Sequence, residues 1–95
     1  MNQNNDTHYD IDFRDYSFNE QPGIFSYRLQ KKLKSKNGRM SIFVEGANGV
    51  KHQITLYPDS NFLGVEGVSE GAKISVEFVC SKNGKIYAKS ITVEA

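Results

Sequence analysis

Three Asn-Gly steps punctuate this chain, at 37–38, 48–49 and 83–84, and each runs into a stretch of alternating apolar residues. Two of them repeat the tetrapeptide Ser-Lys-Asn-Gly, at 35–38 and 81–84. Asn-Gly between alternating runs is the strongest short-range hairpin signal, because a two-residue type I′ turn needs positive φ at both central positions and this pair accepts it at little steric cost. Three such steps in 95 residues confine the chain to a small antiparallel β-fold.

The runs between the turns have a period of two. Met40, Ile42 and Val44 alternate with polar or solvent-side positions; so do Val50, His52, Ile54 and Leu56, and again Ile74, Val76, Phe78 and Cys80. Each reads as a strand with one buried face. The last run, 85–93, begins with Ile86 and Ala88 on one parity and ends with Ile91 and Val93 on the other. A bulge near residues 88–90 accounts for the switch, since one extra residue flips the faces. In the first run, "IFSYRLQKKLK", Phe25, Tyr27, Leu29 and Leu33 share strand parity, while Phe25, Leu29 and Leu33 also fall at helical spacing. A strand is the preferred reading, because the aromatic start suits a sheet and Asn37-Gly38 then closes a hairpin.

Five strands follow, with tight links joining first to second, second to third and fourth to fifth. The third-to-fourth link, 58–71, is long and Gly-rich. That connectivity predicts an all-β, five-stranded Greek-key barrel over residues 24–95, whose closure removes exposed edges. Residues 1–23 stand apart as an acidic, partly disordered N-terminal extension. They carry five acids against one arginine, a balance of −4, and also Tyr9, Ile11, Phe13, Tyr16 and Phe18. They read as a mobile tail, as a short edge strand through 8–14, or as an acidic-aromatic segment lying on the basic surface in imitation of a nucleic acid strand.

Charge is split between the two parts. Residues 24–95 hold eleven Lys or Arg against six acids, a balance of +5, and 28–39, "RLQKKLKSKNGR", has six cations and no acid. Such a run points to an anionic partner. Reactive constellations are missing from the sequence. His8 and His52 are far apart, a single cysteine does not make a zinc site, and no phosphate-binding loop or nucleophile elbow occurs. Cys80 shares parity with Ile74, Val76 and Phe78 and is expected to be a buried small hydrophobe. The expectation is a non-enzymatic protein without cofactor or metal. One cysteine permits no internal disulfide, no stretch approaches the ~18 apolar residues of a membrane span, and the N-terminus lacks a signal-peptide pattern. A cytoplasmic protein without membrane contact is expected.

The ending "EGAKISVEFV…NGKIYAKSITVEA", with Ser60, Phe62 and Gly64 in the slack link, resembles the OB-fold, and within it the cold-shock-like single-strand binders. In that family the ligand crosses the second and third strands between the first-to-second and fourth-to-fifth loops. The resemblance therefore implies a cleft between the two Ser-Lys-Asn-Gly turns, with Lys34, Lys36 and Arg39 at one and Lys82 and Lys85 at the other. Between them it implies Arg28 and Lys32 on the first strand, Phe43 on the second, Lys51 and Tyr57 on the third, and Tyr87 and Lys89 on the fifth. Cations would neutralise phosphates and exposed rings would stack on bases of single-stranded DNA or RNA, with little sequence readout. The competing reading is a small regulatory module that meets a protein partner through the same basic face or through the acidic-aromatic tail.

Overall fold

The computed structural model describes residues 12–34, 38–56, 65 and 67–94. They form one sheet of five antiparallel strands: β1 Gly23–Lys34, β2 Met40–Glu45, β3 Lys51–Leu56, β4 Lys73–Cys80 and β5 Ile86–Val93. The order across the sheet is β3-β2-β1-β4-β5. The first run is thus a strand. A helix would have buried Leu33 with Leu29; instead Tyr27 and Leu29 are buried and Leu33 is 39% exposed.

β1 carries the architecture. Its first half pairs with β4, from Gly23↔Phe78 to Arg28↔Lys73, and its second half pairs with β2, from Arg28↔Glu45 to Lys34↔Met40. A register shift between Leu29 and Lys31 marks a bulge where one partner hands over to the other. Bulges bend a strand and sharpen its twist. The sheet therefore consists of two arms, β1-β2-β3 and β1-β4-β5, that share β1 and both contribute to one core. That core takes Tyr27 and Leu29 from β1, Met40, Ile42 and Val44 from β2, Ile54 and Leu56 from β3, and Ile74, Val76 and Phe78 from β4. Ala88 of β5 joins them, as do Val65 and Val68 from the β3–β4 link. Full burial of each large aliphatic side chain contributes about 1.5–3 kcal/mol. The outer strands β3 and β5 approach within 8 Å between Cα atoms, and no hydrogen-bonded ladder joins them among the described residues.

The expected bulge in β5 is present. Glu77 pairs with Ser90 and Phe78 with Ala88, so Lys89 is the extra residue and the strand changes face there. The turn chemistry differs from expectation. No non-glycine residue among those described has positive φ, so neither Asn48 nor Asn83 adopts the type I′ conformation. In both hairpins the N–H of the glycine donates three residues back, Gly49 to Gly46 and Gly84 to Ser81, and the flanking pairs Gly46–Val50 and Ser81–Lys85 close through the backbone. These are type I turns followed by a left-handed glycine, φ +79° at Gly49 and +82° at Gly84, the three-residue hairpin with a G1 bulge. Asn contributes as a type I turn former and only Gly takes the left-handed position. At the second hairpin the Ser81 hydroxyl also accepts from the N–H groups of Asn83 and Lys85.

Cys80 is exposed, contrary to its parity. Pairing of β4 with β1 ends at Gly23↔Phe78, so the last residues of β4 extend past the core.

Two expectations follow. Gly84→Ala places a Cβ in open space but forces a left-handed alanine, and should lower stability by about 1–2 kcal/mol in urea unfolding. Burial pushes the Tyr27 phenol up to about 12. Its folded pKa lies above its unfolded value, so its contribution is fully present below pH ~10 and is lost as pH rises through about 12. Unfolding between pH 8 and 12 should show this loss, on the order of 2 kcal/mol, and Tyr27→Phe should flatten it.

Candidate nucleic-acid interface

The bulge in β1 decides which basic side chains reach the outer face. Before it, Arg28 lies opposite the core-facing Tyr27 and Leu29. After it, Lys31 pairs with Phe43 and Leu33 with Ser41, while Lys32 pairs with the core residue Ile42. Lys31 and Leu33 therefore share the outer face with Phe43, and Lys32 turns toward the inner side. There the Lys32 ammonium donates to the Val68 carbonyl, and the Lys32 backbone N–H lies 3.4 Å from a Glu70 carboxylate oxygen. Lys32, expected on the binding face, instead clamps the β3–β4 link to the end of the core. Lys31 takes its place on the outer face. No residue in "RLQKKLK" marks the extra position, and Leu29 and Leu33 on one parity point to an unbroken strand.

Phe43 is the second correction. It lies on the outer face of β2 as its parity required, yet it is only 2% exposed. The Tyr16 ring packs edge-on against it, with centroids 5.3 Å apart and planes at 89°, and the Lys51 ammonium lies 5.8 Å from the Tyr16 ring centroid. Backbone bonds hold this cover in place. Ser17 N–H donates to Lys51 C=O at 3.2 Å, and Gln53 N–H donates to Ser17 C=O at 2.9 Å, a parallel bridge at the edge of β3. His52 adds Nδ1 at 3.1 Å from the same carbonyl, which can only accept, so Nδ1 carries the proton. The His52 ring itself stands edge-on to Tyr27, 5.8 Å away. Burial pushes the Tyr16 phenol up, and the nearby Glu45 and Asp15 carboxylates add to the effect. Residues 16–17 are thus docked on the outer face of β2 and β3. The edge strand expected through 8–14 falls largely outside the described residues, and the contact is made further along the chain.

The remaining cations form separate groups. Lys34 and Arg39 are exposed at the far end of β1 and the start of β2, and Lys51 lies on the same arm. Arg28 donates to Gly71 C=O at 2.6 Å. It shares a cavity of about 350 Å³ with Lys73, Glu45 and Glu94, so carboxylates oppose its charge. Lys82 and Lys85 are exposed in the β4–β5 turn, Tyr87 is 49% exposed and Lys89 is exposed at the β5 bulge. The two Ser-Lys-Asn-Gly turns leave from opposite ends of β1: one follows Lys34, the other lies beyond the Gly23↔Phe78 pair. Residues 35–37 of the first turn lie outside the described residues. Lys36 and Tyr57 lie outside the described residues.

Near Tyr16, Asp12 accepts a two-pronged contact from the Arg14 guanidinium, 3.0 Å at each oxygen. That contact first, then the Arg14 N–H, holds the Asp12 carboxyl below its usual range, and Lys51 acts in the same direction. Among the described residues no helix is long and apolar enough to cross a membrane. Comparison with models of protein families, with curated proteins and with solved structures gives no match.

Lys32→Met removes the charged hydrogen bond to Val68 and should cost about 1.5–3 kcal/mol in stability. Hydrogen exchange at the Val68 amide, which donates to Val65, should quicken in the same variant.

Proposed function

We propose that this chain is an OB-like, Greek-key barrel that binds single-stranded DNA or RNA, with little sequence readout and without catalysis, in the cytoplasm. The barrel reading is supported by the shared strand β1, which serves both arms, and by the approach of β3 to β5. One observation carries the binding reading: Lys31, Arg39 and Lys51 share the outer parity of the β1-β2-β3 arm with an aromatic side chain, Phe43, that faces outward from the core, and Lys34 is exposed at the end of the same arm. Lys36 belongs to the same run in the sequence.

Cations on that arm neutralise phosphates and release counterions, which supplies affinity without reading sequence. Flat aromatic surface supplies the complementary contact to unpaired bases. Lys82, Lys85, Tyr87 and Lys89 enter this account as contacts at the other end of β1, reached only by a strand that follows its twelve residues, at most about 40 Å.

A second reading draws on the Ser17 bridge. The edge of β3 accepts extended polypeptide through backbone bonds, the mode by which a protein partner adds a strand to a sheet. A partner recovered after nuclease treatment, together with no affinity for oligonucleotides, would select that reading.

Fluorescence anisotropy with labelled oligo-dT and oligo-U across a salt series tests the first. Affinity should fall as salt rises. Replacing Lys34, Lys36 and Arg39 together by Ala should reduce the log–log slope by about two, at roughly 0.7 per phosphate contact for single strands. Salt-independent binding, or none, would defeat the proposal.

A further inference from the structure

The face that carries the proposed function is already occupied, by residues of the same chain. The Tyr16 ring stands edge-on to Phe43, the Lys51 ammonium lies over the Tyr16 ring, and Gln53 is the cross-strand neighbour of Phe43. An aromatic side chain and a cation against one ring, with an amide-bearing residue on the neighbouring strand, supply what an unpaired nucleobase needs: a surface to pack on, a charge for the adjoining phosphate and a hydrogen-bonding side chain. The segment that supplies the ring carries Asp12, paired with Arg14, and Asp15, a net negative charge of one.

From this juxtaposition of Tyr16, Phe43, Lys51 and Gln53 we infer a one-base subsite on the outer face of β2 and β3, with residues 12–18 as its intramolecular occupant. The inference rests on the single-strand-binding reading and adds to it where a base sits and what must leave first. Among the described residues the occupant is held by the edge-on contact of Tyr16 with Phe43 and by the backbone clasp at Ser17. Its hold is local and reversible. An incoming strand must displace it, so the apparent affinity of the full chain is reduced by the fraction of molecules in which the clasp is closed.

Two full-length variants open the clasp differently. Tyr16→Ala removes the ring; Ser17→Pro keeps the ring and removes the N–H that donates to Lys51. Both leave the core untouched. With a short labelled oligo-dT at fixed low salt, each variant should bind about 5–10-fold more tightly than the parent chain. In the parent chain, oligo-dT should also speed hydrogen exchange at the Gln53 amide, which is protected by Ser17 C=O, while the core strand amides of Ile74 and Val76 stay protected.

Equal affinities for the parent and both variants, with Gln53 protected in the complex, would overturn the inference and leave the binding reading standing. No binding by the parent or by either opened variant would overturn both. Weaker binding by Tyr16→Ala with folding intact would also contradict it, since Tyr16 would then belong to the binding surface.

Discussion

Everything in this molecule depends on one strand serving two partners. β1 spends its first half on β4 and its second on β2, and only Arg28 pairs with both. A flat sheet of this order would leave its apolar face open. The bulge at 29–31 lets β1 turn, so that the arms fold toward each other and Leu29, Ile42, Val44, Ile74 and Val76 meet in one interior. The same bulge reverses side-chain direction, which is why Lys31 faces out beside Phe43 while Lys32 caps the core end. Fold and electrostatic surface are set by a single inserted residue.

The cover over Phe43 is a consequence of that surface. A phenylalanine pointing away from the core leaves a large apolar ring to be hidden, and Tyr16 packs against it. One edge-on aromatic pair and each backbone bond at Ser17 contribute on the order of 1 kcal/mol. Ordering each residue of the segment costs a similar amount. Each of these contacts is small beside the core beneath it, and a competitor that brings both charge and flat surface acts directly against them.

Much of the fold could be read in the residues. Alternation in "KISVEF" and "MSIFV" placed β4 and β2, and the parity switch between Ala88 and Ile91 revealed the bulge at Lys89 because apolar residues flank it on both sides. The bulge in β1 left no such trace, since Lys31 and Lys32 are alike and Leu33 kept the false parity of Leu29. The Asn-Gly steps at 48–49 and 83–84 located their hairpins correctly while the backbone class was misread, because a type I turn with a left-handed glycine uses the same two letters. Of the site, the cationic arm and the outward direction of Phe43 were legible, and an N-terminal segment lying on the basic surface was one of three readings; the residues that make the contact were not. A contact between Tyr16 and Phe43 spans the whole first hairpin arm, and no local pattern reports it. Nor could turn composition reveal that the two lysine-bearing bends sit at opposite ends of β1.

The central claim is that the outer face of the β1-β2-β3 arm receives an unpaired strand. Amide chemical-shift mapping of the folded chain during titration with oligo-dT tests it most directly. The account predicts shifts concentrated at Lys31, Phe43, Lys51 and Gln53, and at Tyr16 and Ser17 as the cover leaves. Shifts confined to 81–89, or a spectrum that oligo-dT leaves unchanged, would contradict it.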